Sequence, residues 1–233
     1  MYRKLKKAGK IISDKYSGTM EYFYLTPASL SLLKPLLPVF SKYVKGRLLD
    51  AGAGRLSYKF LMERHCSSYH SIDIRGASVD SIGDIQRLPI KDESFDSVFC
   101  TQVLEHVPEP QKAMKELCRV LKKGGYAIIT VPHLAYLHNE PHDYYRYTKH
   151  GMRFMLERAG FEVEEIIPAG GLISFLGHIP SSMMMNLTAG IPRLNEWIFR
   201  LNSLFVKATV CIDNLLEKKK IYALNYIVVG QKK

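Results

Sequence analysis

Hydrophobic positions along this chain fall into two alternating patterns: short continuous runs, and residues spaced three or four apart. Residues 20–45 carry the helical spacing, with Pro35 and Pro38 expected to break or bend the run. "RLLDAGAG" is a short apolar run ending in turn residues, which predicts a buried strand, and "SYKFLMERH" then predicts a helix. "SYHSIDI", "SVDSIGDI" and "SFDSVFCTQ" follow as a second, a short third and a fourth strand. "EPQKAMKELCRVLKKGG" is helical through Ala113, Leu117, Val120 and Leu121. Lys122 and Lys123 suit its negative C-terminal end, and Gly124 serves as its stop. "YAIITVP" is a fifth strand. "TKHGMRFMLERAG" is a helix with Thr148 as N-cap and Gly160 as stop, "FEVEEIIP" a sixth strand, and "YALNYIVVG" the last. Strands alternating with helices predict an α/β fold, a doubly wound, mostly parallel sheet of seven strands with helices on both faces.

Between the last two strands lie residues 170–221. No Asp, Glu, Lys or Arg occurs from Ile166 to Pro192. That is long enough to suggest a membrane span, but Gly170, Gly171, Gly177, Pro180, Ser181, Ser182, Asn186 and Gly190 interrupt it, which argues against one. Next comes an amphipathic helix, with Leu194, Trp197, Ile198, Leu201, Leu204, Phe205, Ala208, Ile212, Leu215 and Leu216 at helical spacing. The organisation expected is a basic arm and helical cap over 1–44, an α/β domain over 45–169, a helical apolar insert over 170–220, and the α/β domain's final strand over 221–233.

The chain has 233 residues, 47% of them hydrophobic and 24% charged, enough for a sizeable core. Its net charge of +11 is concentrated at the ends. Arg3, Lys4, Lys6, Lys7, Lys10 and Lys15 face only Asp14 in the first twenty residues, and Lys218, Lys219, Lys220, Lys232 and Lys233 close the chain. Such ends suit nucleic acid or an anionic membrane, or simply solvated termini. No aromatic residues alternate with bases in an RNA-binding pattern. Cys66, Cys100, Cys118 and Cys211 have neither CxxC nor metal-type spacing and read as reduced thiols. The opening "MYRKLKKAGKII" is basic without the long apolar run of a signal peptide, so a cytoplasmic location is expected, with peripheral membrane contact left open.

The chemistry starts at "GRLLDAGAGRLSYKF". In a doubly wound sheet, ligands bind beyond the carboxyl ends of the strands, where the strand order reverses. The first strand ends at Asp50, and Gly52 and Gly54 lack the Cβ that would keep a ligand away. A dinucleotide turn requires Gly-x-Gly-x-x-Gly around a pyrophosphate. Here the third position is Ser57, and the carboxylate of Asp50 would repel phosphate while suiting a sulfonium with an adjacent ammonium.

With these strand ends the sequence resembles the class I S-adenosylmethionine-dependent methyltransferases, of the type 11 kind. "LLDAGAG" looks like their first motif. "SIDI" puts Asp73, 19 residues after Gly54, where the family grips both ribose hydroxyls, with Ile74 beside it. "GDIQRLPIKDESFDSVFCTQVLEHV" follows the family order, with Asp84 and Ile85 where adenine is contacted and Thr101 and Gln102 at the fourth strand end; "LKKGGYAIITVP" matches the fifth strand. The match covers roughly 45–168 plus the last strand. It implies a Rossmann-like methyltransferase fold with a helical insert before the last strand, S-adenosylmethionine as cofactor, S-adenosylhomocysteine as product, and cofactor contacts at Asp50, Gly52, Gly54, Asp73, Ile74, Asp84, Ile85, Thr101 and Gln102.

Acceptor-side candidates cluster beyond the fourth and fifth strands: Glu105, His106, His133, His138, His142, Tyr144, Tyr145 and Arg146. Glu105, His106 and His142 are singled out as catalytic. "QVLEHVPEP" resembles the turn of ubiquinone-pathway O-methyltransferases and small-RNA 2′-O-methyltransferases, where Glu-x-x-Glu-His holds a divalent ion and, in the RNA enzymes, a later histidine adds to it. Here Gln102 replaces the first acid, so a metal is left open but not favoured, and no metal ligand is assigned. The alternatives are a metal-free Glu105–His106 acid–base pair and a purely structural turn. The apolar insert suggests a small-molecule or lipid-like acceptor methylated at oxygen, with a peripheral membrane or homodimer contact through 170–216. A nucleic-acid methyltransferase, for which only the net charge speaks, and a non-catalytic cofactor-binding module are the other classes.

Overall fold

The apolar runs form one seven-stranded sheet in the computed structural model, which describes residues 2–76 and 78–233. The side chains of residues 1–6 lie outside the described residues, and with them the expectation for Arg3, Lys4 and Lys6. The strands are β1 (Arg47–Ala51), β2 (Ser68–Asp73), β3 (Ser81–Ile82), β4 (Phe95–Thr101), β5 (Leu121–Pro132), β6 (Phe161–Ala169) and β7 (Asn225–Lys232). Their order is β3-β2-β1-β4-β5-β7-β6. β1 pairs in parallel with β2 and β4, β2 with β3, and β4 with β5, while β7 runs antiparallel to β5. The order reverses between β1 and β4, so a crevice opens beyond the carboxyl ends of these two strands. This is the doubly wound, mostly parallel sheet expected.

The helices are α1 (Tyr2–Tyr16), α2 (Pro27–Tyr43), α3 (Lys59–Met62), α4 (Pro110–Val120), α5 (Lys149–Ala159), α6 (Leu172–Thr188) and α7 (Pro192–Leu216). The chain divides into two compact units, one of residues 1–35 with 169–224 and one of residues 36–168 with 225–233.

The second unit holds the sheet. Its core is built on Phe99 of β4, wholly buried, which meets Phe40 edge-on at a 5.3 Å ring separation and Tyr58 at 5.3 Å. α4 contributes Ala113, Met114 and Leu117, all fully buried, the i, i+1, i+4 spacing that turns one helix face to the sheet. Thr148 caps α5 by accepting the Gly151 N–H at 3.0 Å, and Gly160 ends it at φ +98°, where an L side chain is strained.

Three local expectations are corrected. α4 stops at Val120, because Leu121 is extended and wholly buried and pairs with Phe95 as the first residue of β5. Lys122 is therefore a strand residue whose Nζ meets Asp96 Oδ1 at 2.8 Å, not a helix-end charge. "SYKFLMERH" yields only the single turn of α3. The Ser67 N–H must reach Gly46 O (2.7 Å) to start β2, which leaves no length for more. Pro35 and Pro38 do not end α2, whose stripe of Leu32, Leu33, Leu36, Val39, Phe40 and Tyr43 is buried along its whole length. That burial outweighs the two missing N–H donors.

The first unit is helical. Ile12, Tyr16, Leu25 and Met185 form its small core, and Tyr16 stacks on Phe199 at 4.7 Å. α6 and α7 pack on each other closely enough that a Cβ at Gly177 would lie 2.8 Å from Thr209 Cγ2. Among the described residues no helix is long and apolar enough to cross a membrane. Removing the ring at the centre of the sheet's core, by Phe99→Ala, is expected to cost about 3–5 kcal/mol. Removing the α5 cap, by Thr148→Ala, is expected to cost about 1 kcal/mol. Urea denaturation followed by circular dichroism measures both, and equal costs would contradict this ranking.

Candidate active site

The parallel register brings Asp50, Asp73 and Thr101 to one edge of the sheet. Gly52 and Ala53 both turn their N–H groups onto Ile72 O, at 2.8 and 3.1 Å, so the turn is sewn to β2. Gly54 at φ +53° donates its N–H to Asp73 Oδ2 at 2.9 Å, and Arg75 N–H donates to Asp73 Oδ1 at 3.0 Å. One lone pair on each oxygen is thereby fixed, and the carboxylate is held in one orientation with acceptor capacity left on both.

The two glycines do different work. A Cβ at Gly52 would stand 2.4 Å from Val103 Cγ2, so its bareness admits a protein side chain, not a ligand. A Cβ at Gly54 would meet nothing within 4 Å, so that position does face open space.

Asp50 is buried, 2% exposed, with Tyr69 Oη donating to Oδ2 at 2.5 Å and Oδ1 without a hydrogen bond. Burial, offset in part by that phenol, pushes its carboxyl up to about 7. Asp84 accepts both the main-chain and side-chain N–H of Gln86 (2.8 and 3.0 Å), an Asx turn that orients it, while Ile85 is buried and Ile74 exposed. Thr101 Oγ1 bonds to Thr130 Oγ1 at 2.7 Å. Gln102, at φ +53°, gives its N–H to Thr130 O and its side-chain amide to Thr130 Oγ1. Its amide is thus committed to β5 and does not join the carboxylate three residues on.

That carboxylate, Glu105, lies in the 3-10 turn Leu104–His106 that follows β4. It is wholly buried, neither oxygen has a hydrogen-bond partner, and burial pushes it up to about 8. Around it stand His106 Nε2, 3.7 Å from Oε1, and His138 Nε2, 3.9 Å from Oε1. The two imidazoles meet edge to face at 4.8 Å, and one ligand atom from each of the three residues falls within 4.8 Å of the others. His106 Nδ1 faces His142 O at 2.6 Å; a carbonyl can only accept, so Nδ1 carries the proton and Nε2 presents a lone pair. Burial lowers the His106 pKa, which keeps the ring neutral.

The segment 133–148 straps this turn. Tyr147 Oη donates to Leu104 O, Tyr144 N–H to Glu105 O and Tyr145 Oη to Pro108 O, at 2.8, 2.8 and 2.9 Å. Asp143 anchors the strap. Burial raises its pKa, but Arg146 at 2.7 Å and the His138 N–H at 2.8 Å outweigh that and bring it to about 2.

Of the residues named from sequence, the structure brings Glu105 and His106 together. The ring of His142 is exposed and bonds Tyr144 Oη at 3.0 Å; only its carbonyl reaches the cluster. The imidazole beside Glu105 is that of His138, and the residue fixing it, Asp143, went unnoticed. Its signal was Arg146 three residues on, the spacing of a local ion pair.

Comparison with known proteins agrees with the fold. Residues 49–129 match a family model described as a methyltransferase domain. The ubiquinone biosynthesis O-methyltransferase of Coxiella burnetii is 25% identical over 133 residues, covering 48% of this chain and 57% of that protein. The chain thus spans about half the length of the curated relatives it matches. Among solved structures, the [4+2]-cyclase SpnF is similar at a TM-score of 0.60 and 22% identity, over 88% of this chain and 82% of that one. Phosphoethanolamine N-methyltransferase 2 of Haemonchus contortus, solved in complex with S-adenosyl-L-methionine, gives a TM-score of 0.61 at 16% identity, over 97% and 57%. At such identities these structures speak for the fold alone.

The burial of Asp50 predicts a pH dependence. A raised carboxyl pKa means that the folded protein holds a proton the unfolded chain releases. The stability contribution is therefore fully present below 3.8 and is lost as pH climbs to about 7. Asp50→Asn is expected to remove this part of the fall in thermal midpoint across that window; a fall identical to that of the wild type would contradict it.

Proposed function

We propose that the chain, whose residues 49–129 match a methyltransferase-domain model and whose sheet is doubly wound, methylates an oxygen of a small-molecule or lipid-like acceptor, with S-adenosylmethionine as donor and S-adenosylhomocysteine as product. The residues fit such a cofactor. Asp50 keeps a buried, unpartnered oxygen that a cation would satisfy, Gly54 faces open space, and Asp73 is held with acceptor capacity free. The cofactor, when bound, supplies a methyl group already activated by the sulfonium. What the chain must add is alignment and removal of the acceptor's proton.

One observation carries the reading of oxygen as the target. A neutral imidazole, His106, keeps Nε2 as an acceptor, with the Asn139 side-chain amide at 3.4 Å and, at 3.7 Å, the buried carboxyl of Glu105, which has no hydrogen bonds of its own. His106 Nε2 takes the hydroxyl proton as the methyl moves, and the His142 carbonyl, accepting the Nδ1 N–H, orients the ring and holds the imidazolium that results. The same cluster favours a second reading, because one carboxylate and two imidazoles within 4.8 Å are a donor set for a borderline divalent ion. Such an ion would be held by Glu105, His106 and His138 and would acidify the acceptor hydroxyl. The O-methyltransferase activity named for the Coxiella burnetii relative supports an oxygen acceptor without identifying it.

Two experiments test the proposal. Asp73→Ala is expected to weaken S-adenosylmethionine binding by about 1.5–3 kcal/mol in calorimetry, the value of charge-assisted hydrogen bonds to the ribose; unchanged affinity would remove Asp73 from the cofactor site. Labelled cofactor is next incubated with lipid, small-molecule and RNA fractions, with and without chelator, for the wild type and His106→Ala. Label in the lipid or small-molecule fraction is expected, and label in RNA alone, or in none, overturns the acceptor class. Chelator-insensitive activity lost in His106→Ala supports the base. Activity lost to chelator and restored by a divalent ion supports the metal, and full activity in both arms leaves the cluster a structural turn.

A further inference from the structure

Helices α6 and α7 are assembled inside out. In water, packed helices turn apolar side chains toward each other and polar ones outward. Here Met185 of α6 and Val206 and Val210 of α7 are buried, but most buried positions are small or polar: Ser174, Gly177 and Ser181 on α6, and Asn195, Asn202, Thr209 and Asp213 on α7. These residues bond across the seam. Ser181 Oγ donates to Asn202 Oδ1 at 2.7 Å, Ser174 Oγ to Asp213 Oδ2 at 2.9 Å, and Asn195 Nδ2 to Thr188 Oγ1 at 2.9 Å. Gly177 supplies the close approach, with Thr209 in the place of its missing Cβ. Small residues at the contact and Ser, Thr and Asn bonding across it are how helices associate in lipid, where apolar side chains gain nothing by turning inward.

The outward faces complete the inversion. On α7, Trp197 is 67% exposed, Leu204 64% and Leu215 72%, with Leu201 and Ile212 on the same strip. On α6, Leu172, Leu176, Ile179, Met183 and Leu187 form a second exposed strip that carries no charge. At 3.6 residues per turn, α7 has three sectors: the buried polar seam, the apolar strip, and beside it Arg193, Arg200 and Lys207, each seven residues from the last. Glu196, which also lies on that side, is engaged by Lys15 at 3.5 Å, and Arg200 sits over the Trp197 ring at 5.7 Å. Lys218 and Lys219 follow Leu215 and Leu216 after Glu217, whose carboxylate is taken up by the Leu172 and Tyr222 N–H groups at 2.7 and 2.9 Å.

We propose that the exposed face of α6 and α7 docks on an anionic phospholipid bilayer. The helices would lie in the interface with the apolar strips among the acyl chains and the cationic strip level with the phosphates. Among the described residues no helix is long and apolar enough to span, and the charges along α7 fit only an in-plane pose. The cationic strip selects lipid over a second copy of the chain, since two-fold pairing through this face would set like charge against like charge. This proposal stands apart from the methyl-transfer reading, and its test does not use activity.

The test is co-sedimentation of the full chain with vesicles of phosphatidylcholine alone or mixed in equal parts with phosphatidylglycerol, with Trp197 emission as a second readout. Expected are binding to the mixed vesicles, weakening with salt, and a blue shift of the sole tryptophan. Leu201→Asp with Leu204→Asp is expected to lower partitioning by about tenfold or more for each leucine withdrawn from the bilayer. Both side chains are exposed, so the thermal midpoint should hold. If that pair misfolds, Arg193→Glu with Arg200→Glu and Lys207→Glu replaces it and should abolish the preference for phosphatidylglycerol. Absence of wild-type binding overturns the proposal, as does undiminished binding by a folded variant. So does a concentration-dependent dimer dispersed by Leu201→Asp with Leu204→Asp, which would assign the face to a second copy.

Discussion

Much of the candidate site depends on one contact, Val103 lying where a side chain at residue 52 would be. A Cβ there would stand 2.4 Å from Val103 Cγ2, and Gly52 is at φ +78°, so neither space nor backbone admits another residue. The contact locks the turn after β1 against the turn after β4. The first turn presents Asp50, Gly54 and the bonds that hold Asp73; the second presents Gln102, Glu105 and His106. The two halves of the proposed site are therefore set relative to each other by packing between neighbouring strand ends, before any ligand is involved. Gln102 completes the lock, since its left-handed backbone turns the chain sharply enough to drop Glu105 beneath the strap.

The same edge of the sheet holds carboxylates in opposite electrostatic states. Asp143 has a guanidinium and a main-chain N–H and stays ionised in spite of its burial. Asp50 and Glu105 have almost nothing, one phenol between them, and burial pushes both toward the neutral form. A buried oxygen without a donor is costly in a folded protein unless something else satisfies it. The two that lack it most stand on either side of the Gly52–Val103 contact, one where the resemblance puts a cationic cofactor and one between two imidazoles. Residues 133–148 are held by Arg146 and three tyrosines, so the imidazole of His138 is fixed by main-chain and ion-pair contacts, not by the sheet.

The helical unit follows a different rule from the sheet. The sheet's core is apolar and its polar groups sit at strand ends; α6 and α7 bury polar groups and leave leucines and a tryptophan outside. One chain thus carries two packing regimes, each consistent within itself, and the polar seam is satisfied bond by bond. The ion pair of Lys220 with Asp213 at 2.8 Å closes the end of that seam.

The amino-acid sequence by itself determined the alternation of strands and helices, the strand-ending acids Asp50 and Asp73, the cap at Thr148 and the stop at Gly160. Each depends on residues adjacent along the chain or one turn away, where periodicity and turn chemistry act. It also showed that 170–216 is apolar and helical. Only the tertiary structure decided what lies far apart in sequence and close in space. Val103 fills Gly52's place, Thr130 claims Gln102, and His138 stands by Glu105 where the family resemblance pointed to His142. α4 yields to β5 at Leu121 because pairing with Phe95 competes with one more helical turn. The α7 pattern read as amphipathic, but periodicity finds a stripe without saying which side of it faces the neighbouring helix. Ser174, Gly177, Ser181 and Asn202 settle that, because small and hydrogen-bonding side chains let two helices approach more closely than leucines do.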